Sequence, residues 1–280
     1  MRALVIGGGG AKGAIALGVI DALRARGFDW DLYAGTSTGS IIAAMEAQEQ
    51  HDVLLEMWLS LNGNGDIYKS GWLRNVIGYF KGGFYDFSPI HKLLRQHVHW
   101  DRVKHPLYVS MVSLATGDLV YASQYDGIPL ADSVFTSCCF PPVAKPPVIR
   151  GSQHVDGGVR EIVPLKVAVD AGADEIDVIA CSPVDLEKTT KHFGSVLAVS
   201  NRALTIMGNE VLAGDLKQRI EYTRLINEMV VAGLRPGKRE IPIRVYQPLR
   251  PNIIDTLEFD PRKIREMLAH GREAGRGAWS

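Results

Sequence analysis

The chain has 280 residues, of which 46% are hydrophobic and 22% are charged. Lys and Arg together number 31 and Asp and Glu also number 31, so the formal net charge is zero. This composition is typical of a folded globular protein and excludes a disordered chain, a collagen and a disulfide-rich scaffold. The balanced charge also argues against nucleic-acid binding, because proteins of that class carry a basic domain or stripe.

The cysteines and the N-terminal residues bear on the compartment. The three cysteines, Cys138, Cys139 and Cys181, are odd in number and two are adjacent, which favours a reduced, cytoplasmic compartment. The apolar run before the first glycines is too short for a signal peptide. No stretch reaches 18 consecutive apolar residues, so we expect no transmembrane helix and only peripheral contact with a membrane.

The predicted elements begin with two strand–helix pairs. Short apolar runs predict strands at 3–6 and 30–34, and apolar residues at helical spacing predict helices at 14–26 and 40–50. Further strands are predicted at 107–114, 119–123, 153–155, 176–181 and 241–246, and further helices at 89–98, 164–171, 195–231 and 261–273. Strands that alternate with helices indicate an α/β fold with a mostly parallel central sheet. No boundary has the composition of a linker, so we expect a single domain over residues 1–280.

A glycine-rich segment, Gly8 to Gly13, lies between the first predicted strand and the first helix. It satisfies the pattern G-x-G-x-x-G, which is typical of dinucleotide-binding folds. In those folds an acidic residue ends the second strand and binds the ribose, whereas the second strand here ends in Ala34 and Gly35. A second interpretation is a tight turn with no further role. A third is a set of backbone N–H groups that stabilise an oxyanion.

A serine lies at the next strand–helix junction. Residues 35–39 have the pattern G-x-S-x-G, with Ser37 between Gly35 and Gly39. A strand before this pattern and a helix after it are the setting of a nucleophile elbow. The alternative is that Ser37 only caps the helix. The glycine-rich segment on the neighbouring strand favours the nucleophile.

A serine nucleophile needs a proton acceptor, and the sequence offers two candidates. None of the histidines after Asp156 lies at an obvious strand end. His154 and Asp156 lie two residues apart and therefore share one face of a predicted strand. Asp156 is followed by Gly157 and Gly158, which favours a strand end that another loop approaches closely. The alternative for Asp156 is an ordinary Asp-Gly turn.

Together these motifs resemble those of the patatin-like phospholipases, and the resemblance spans nearly the whole chain. That family carries G-G-G-x-K/R-G, G-x-S-x-G and D-G-G/A in this order, as do residues 8–13, 35–39 and 156–158. A fourth family block, A-S-x-x-x-P, is similar to residues 136–141, where Thr136 replaces the alanine.

The resemblance implies a three-layer α/β/α fold and a Ser–Asp dyad without a catalytic histidine. It makes Ser37 the nucleophile and Asp156 the proton acceptor. The oxyanion hole would be formed by Gly8, Gly9 and Gly10, and the remaining motif positions are Lys12, Gly13, Gly35, Gly39, Gly157 and Gly158. Lys12 would anchor the loop or meet an anionic head group. No metal and no cofactor are implied, and we expect a side chain at Gly10 to impair turnover more than folding.

The leading hypothesis is a serine lipid acyl hydrolase that cleaves carboxyl esters of phospholipids or lysophospholipids through an acyl-enzyme. It would bind a lipid or acyl ester as its substrate, and we expect no nucleic-acid partner. A dinucleotide-binding oxidoreductase is the first alternative, and the misplaced acid argues against it. A non-catalytic interaction module on the same fold is the second, and the presence of every motif residue argues against it.

An aromatic segment within residues 61–87 suggests how the chain meets lipid. On a helical projection Trp72, Tyr79 and Phe80 share one side, with Arg74 and Lys81 opposite. An aromatic face backed by cations suits the bilayer interface, and the nearby glycines would allow movement as a lid over Ser37. The alternative is that this face packs on the core, as apolar helix faces usually do.

Overall fold

The computed structural model describes residues 1–71, 83–186, 188–190, 192–233, 241–251 and 253–277. The strands in these ranges are β1 (Arg2–Ile6), β2 (Leu32–Gly35), β3 (Leu107–Ser113), β4 (Leu119–Ala122), β5 (Val148–Ile149), β6 (Ser152–Asp156), β7 (Glu175–Ile179) and β8 (Ile243–Tyr246). The α-helices are α1 (Ala14–Arg24), α2 (Thr38–Ala47), α3 (His51–Leu59), α4 (Ser88–His97), α5 (Leu130–Ser137), α6 (Leu165–Asp170), α7 (Val196–Val231) and α8 (Pro261–Ala274).

The strands form one mixed sheet with a parallel centre. The strands that hydrogen bond in succession are β5-β6-β3-β2-β1-β7-β8, and β4 also pairs with β3. The central strands β3, β2, β1, β7 and β8 pair with one another in parallel. The pairs made by β4, β5 and β6 are antiparallel. The central strand β1 is buried from Ala3 to Ile6, as expected for a parallel strand covered on both faces. The predicted α/β fold with a mostly parallel sheet is confirmed.

Two buried clusters cover the two faces of the sheet. Leu4 and Ile6 of β1 belong to a cluster with apolar residues of α1, α2 and α8. Ala3 and Val5, which point the other way, belong to a second cluster with residues of α6 and α7. The sheet is therefore the middle layer of three, and the expected α/β/α architecture is confirmed.

The pairing of β3 brings the ends of β2 and β6 together. β4 pairs with Val109 to Val112 along one edge of β3. Gly35 of β2 also pairs with Val109, and Asp156 of β6 also pairs with Met111. A strand residue has one neighbour on each edge, so β2 and β6 share the edge opposite β4. Val109 and Met111 are two residues apart on β3, a distance of about 7 Å along the strand, so Gly35 and Asp156 lie close together at the meeting ends of β2 and β6.

Three elements were not predicted from the sequence. The helix predicted at 40–50 ends at Ala47, and α3 follows after Glu49, whose φ of 58° breaks the helical path. Helix α3 buries only Leu54 and Trp58, a stripe too narrow to stand out in the sequence. Helix α5 has eight residues and β5 has two, and such short elements carry little periodicity.

Within the described ranges no helix is long and apolar enough to cross a membrane.

Candidate active site

Ser37 lies in a strained turn between β2 and α2. Its backbone has φ 56° and ψ −129°, an uncommon conformation for a residue with a side chain. The chain segments of this turn lie so close together that only glycine fits at two positions. A Cβ on Gly35 would overlap the carbonyl of Gly39, and one on Gly39 would overlap the carbonyl of Ile6. The structure therefore places Ser37 in the elbow geometry that the sequence predicts.

Two further serines hold the backbone of this turn. The Ser37 N–H donates to Oγ of Ser137 at 2.9 Å, and Ser137 is fully buried at the end of α5. The Ser40 hydroxyl donates to the Ser37 carbonyl at 2.6 Å. In the sequence, Ser137 stands out only as a member of the family block at residues 136–141, with no role of its own. Its contact with the elbow depends on the packing of α5, a helix that was not predicted.

Asp156 ends β6 and faces the Ser37 hydroxyl. Its backbone N–H donates to the Cys139 carbonyl at 3.1 Å, and its Oδ1 accepts from the Gly158 N–H at 2.8 Å. The side chain is only 2% exposed. Burial raises the pKa of this carboxyl to about 7, although the hydrogen bonds donated by the Ser37 hydroxyl and the Gly158 N–H oppose the rise. A carboxylate with such a pKa is suited to accept a proton near neutral pH.

His154, the competing candidate, is directed elsewhere. It is half-buried on β6, and its Nδ1 hydrogen bonds with the Ser152 carbonyl at 3.0 Å. All eight histidines lie within the described ranges, and no hydrogen bond between any of them and Ser37 is found there. Of the two candidates, the structure brings only Asp156 to the serine.

The glycine-rich loop lies directly against Ser37. A Cβ on Gly8 would lie 3.1 Å from the Ser37 Cβ. The Gly8 N–H already donates to the Ile162 carbonyl at 3.1 Å. Within the described residues the N–H groups of Gly9 and Gly10 have no acceptor. The described part of the loop therefore holds two backbone donors without an acceptor, and the loop itself meets Ser37 through Gly8.

One expectation about Gly10 needs correction. Gly10 has φ +57°, and a Cβ there would overlap the carbonyl oxygen of Thr256. That carbonyl also accepts the Ala11 N–H at 2.8 Å. A side chain at Gly10 should therefore disturb folding directly, whereas the sequence-based expectation placed the damage mainly on turnover. The contact joins residues far apart in the chain, and no local sequence pattern indicates it.

The remaining motif residues pack around the elbow and the carboxylate. Gly13 lies against the side chain of Thr38, and Gly157 lies against Ser110. Lys12 is half-buried, and its charge lies near Cys181.

The cysteine pair beside the site consists of protonated, packed thiols. Burial raises the pKa of Cys138 and of Cys139, and the charge of Asp156 raises both further. Cys138 also hydrogen bonds with Ser40, and all three cysteines of the chain are free thiols. These environments favour packing over reaction at the pair.

The two ends of the aromatic segment pack on the body of the protein. Tyr68 is buried, its ring packs at a tilt against those of Tyr85 and Phe87, and its hydroxyl donates to the Leu257 carbonyl at 2.9 Å. Trp72, Tyr79, Phe80, Arg74 and Lys81 lie outside the described residues. The lid therefore stays a prediction for the middle of the segment, while its described ends belong to the core.

Metal-binding side chains do not cluster in the described part of the chain. No group of three or more His, Cys, Asp or Glu residues there has the arrangement needed to hold a metal ion.

Comparison with known proteins decides the family. The model of the patatin-like phospholipase family matches residues 4–169. The chain belongs to this family. Patatin-like phospholipase domain-containing protein ZK370.4 of Caenorhabditis elegans is 28% identical over 98% of this chain and 20% of its own length. Lysophospholipase NTE1 of Mycosarcoma maydis is 25% identical over 70% of this chain and 10% of its own length.

Two further proteins are similar to this patatin-like chain. Lysophospholipase NTE1 of Debaryomyces hansenii is 26% identical over 96% of this chain and 17% of its own length. The crystal structure of VipD from Legionella pneumophila has a TM-score of 0.43 and 13% identity over 98% of this chain and 66% of that chain. The chain spans a fifth or less of the length of the curated relatives named here. The family match confirms the resemblance stated from the motifs.

Proposed function

We propose that this protein is a serine acyl hydrolase that uses Ser37 and Asp156 to cleave carboxyl esters of lipids. The observation that carries the proposal is the buried Asp156 carboxylate, whose pKa is raised to about 7, facing the hydroxyl of a serine in a strained elbow. A serine hydroxyl is a weak nucleophile until an adjacent base removes its proton. Asp156 is that base in the proposal, and no histidine is needed.

The first half of the reaction forms an acyl-enzyme. The Ser37 Oγ attacks the ester carbonyl carbon, and its proton passes to the Asp156 carboxylate. The carbonyl oxygen becomes an oxyanion in the tetrahedral intermediate. The intermediate then collapses, the ester C–O bond breaks, and protonated Asp156 returns the proton to the departing alcohol. The pKa of about 7 supports both directions of transfer, because the carboxyl gains and loses a proton with little driving force either way.

The oxyanion is stabilised by the glycine-rich loop in this proposal. The N–H groups of Gly9 and Gly10 are the donors, since neither has an acceptor within the described residues. Gly8 contributes space, because even a methyl group there would press on the Ser37 Cβ. Backbone donors fixed before the reaction need no reorganisation when charge develops, and each contributes about 10²- to 10³-fold in rate.

The second half of the reaction releases the acid. Water attacks the acyl carbon, Asp156 takes one proton of that water, and the second tetrahedral intermediate collapses. The bond to Ser37 Oγ breaks, and the proton passes from Asp156 to the serine oxygen. The free carboxylic acid leaves, and the dyad returns to its starting state without a metal or a cofactor.

The relatives support a lipid as the substrate. Two of them are named lysophospholipases, and the third is named as a patatin-like phospholipase domain protein. We therefore propose phospholipid or lysophospholipid esters as the substrate class, met by peripheral contact with a lipid surface on the cytoplasmic side.

Hydrolysis profiling tests the proposal. The purified chain is assayed on p-nitrophenyl esters of increasing chain length and on defined phospholipids and lysophospholipids. Ser37→Ala and Asp156→Asn should each lower kcat/KM on the order of 10⁴-fold, because residues that act as one unit lose comparable amounts. His154→Ala is the matched control on the same strand and should retain activity. An active Asp156→Asn beside an inactive His154→Ala would show that a histidine is the base.

A further inference from the structure

The three residues 161–163 lie where the separate parts of the site meet. The Ile162 carbonyl accepts the Gly8 N–H at 3.1 Å, which ties it to the glycine-rich loop. The Glu161 carbonyl accepts the Thr36 hydroxyl at 3.2 Å, which ties it to the residue before Ser37. The same segment follows the Asp156 turn by a few residues. A shift of residues 161–163 would therefore move the loop and the elbow relative to the carboxylate.

One side chain from a distant helix holds this segment. Oδ2 of Asp215, on α7, accepts the N–H of Ile162 at 2.7 Å and the N–H of Val163 at 2.9 Å. Both hydrogen bonds reach the same carboxylate oxygen, which fixes two consecutive peptide groups at once. Hydrogen bonds to an ionised acceptor are roughly twice as strong as neutral ones. Without Asp215, two N–H donors beside the buried Val163 would lose their acceptor.

Helix stability does not explain an aspartate at this position. Asp215 lies in the interior of the 36-residue helix α7, where aspartate is disfavoured because its side chain competes for backbone hydrogen bonds. It lies between Leu212 and Leu216, which pack into the core beneath the sheet. The residue also lies beyond the stretch 4–169 that the family model matches.

We propose that Asp215 is a positioning residue for the hydrolase reaction. It holds residues 161–163 so that their carbonyls fix the glycine-rich loop and the serine elbow in register with Asp156. Asp215 itself touches no reacting atom. This inference rests on the proposed function, because it concerns the alignment of the proposed dyad with the proposed oxyanion donors.

The test measures how fast Ser37 reacts, and compares this with stability. An alkyl fluorophosphonate is used, in which Ser37 Oγ attacks phosphorus, fluoride leaves, and the serine proton passes to Asp156. The phosphoryl oxygen then takes the place of the ester oxyanion. Asp215→Ala should slow labelling and kcat by about 30- to 100-fold while KM for a short soluble ester changes less than about threefold, because a misplacement near 1 Å costs about 10²-fold.

A matched control separates positioning from general stability. Asn209 lies on the same helix, and its Nδ2 donates to the carbonyls of Pro183 and Val184 at 3.3 and 3.0 Å. Asn209→Ala therefore also breaks two bonds from α7 to a loop, but that loop does not hold the elbow. Its labelling rate should stay within about twofold of the wild type even where its melting temperature falls as much as that of Asp215→Ala. An equal loss of labelling rate in both variants would overturn the inference.

A second variant covers failure of the first to fold. Asp215→Asn keeps the shape and one acceptor oxygen but loses the charge, so we expect about five- to tenfold slower labelling. Labelling at the wild-type rate by either folded Asp215 variant would overturn the inference and leave the proposed function standing. A wild-type chain that is not labelled at Ser37 would overturn the proposed function and this inference with it.

Discussion

The backbone N–H of Ser37 donates to the hydroxyl oxygen of Ser137 at 2.9 Å. This bond joins the strained elbow to the end of α5, and it occupies the backbone donor of the nucleophile itself. In the proposed mechanism the oxyanion donors must therefore come from the glycine-rich loop rather than from the serine itself. The bond also gives the elbow a fixed orientation, because the acceptor is fully buried.

Removing the Ser137 hydroxyl is the first test of this relationship. Ser137→Ala leaves the Ser37 N–H without an acceptor, which should cost about 1–3 kcal/mol of unfolding free energy. The elbow also loses a support, so we expect kcat/KM to fall by about tenfold or more. Urea unfolding and ester hydrolysis measure the two effects.

Ser133→Ala is the matched control on the same helix. Ser133 is buried, and its hydroxyl has no partner in the described residues. The substitution should change neither stability nor activity by more than a small amount. An active and stable Ser137→Ala, indistinguishable from Ser133→Ala, would mean that the bond to Ser37 does not support the elbow.

The placement of Ser37 and Asp156 at strand ends could be predicted from the sequence, but their meeting could not. Ser37 follows a short apolar run and lies between glycines, and Asp156 is followed directly by two glycines, so each pattern is visible in a single segment. That β2 and β6 share one edge of β3 depends on pairings between residues more than 40 positions apart along the chain. No local pattern encodes those pairings, so only the family resemblance suggested the dyad.

The supports of the site escaped prediction for the same reason. The Thr256 carbonyl that crowds Gly10 and the Asp215 carboxylate that holds residues 161–163 both come from the last part of the chain. Neither residue lies in a motif. The raised pKa of Asp156 also required the fold, since it comes mainly from burial by residues of several elements.

The pH dependence of hydrolysis should report the ionisation of Asp156. The carboxyl must be ionised to accept the Ser37 proton, and its pKa is raised to about 7 by burial. Below that pH, kcat/KM on a short soluble ester should fall about tenfold per pH unit, and above it the profile should level off. A midpoint near 4, or no pH dependence between 5 and 8, would contradict the role of a buried Asp156 base.

The free energy of unfolding should also depend on the ionisation of Asp156, but it should fall as pH rises, whereas activity should increase. The pKa of Asp156 is raised from 3.8 to about 7 on folding, so its neutral form favours the folded state. This contribution is fully present below about pH 4 and is lost as pH rises through about 7, with a total on the order of 4 kcal/mol. Asp156→Asn removes the ionisation, so its stability advantage over the wild type should grow between pH 4 and 7. A difference that is independent of pH, measured by urea unfolding, would show that Asp156 is not buried as a charge.

The glycine-rich loop should separate effects on activity from effects on folding. Gly8→Ala places a methyl 3.1 Å from the Ser37 Cβ without requiring a left-handed backbone, so we expect about a 10²-fold loss of kcat with little change in melting temperature. Gly10→Ala forces a left-handed residue against the Thr256 carbonyl and should lower the unfolding free energy by several kcal/mol.

Gly27→Ala supplies the control for Gly10. Gly27 has φ +79° and no atom within 4 Å of an added Cβ, so it carries backbone strain without overlap. It should cost only about 1 kcal/mol and leave activity unchanged. If Gly10→Ala were no worse than Gly27→Ala in thermal unfolding, the contact with Thr256 would have no energetic importance.

The backbone strain at Ser37 should be measurable in variants that are already inactive. Ser37 has φ 56° and ψ −129°, and such conformations cost about 1–3 kcal/mol for a residue with a Cβ. Ser37→Ala keeps the Cβ and therefore the strain, whereas Ser37→Gly relieves it. Glycine also gains entropy in the unfolded chain, which offsets about 0.5–1 kcal/mol of the relief. We expect Ser37→Gly to unfold at a higher urea concentration than Ser37→Ala, by the equivalent of about 1 kcal/mol. Since neither variant has a nucleophile, the comparison is free of any effect of bound acyl groups. A Ser37→Ala variant more stable than Ser37→Gly would mean that the elbow is not strained in solution.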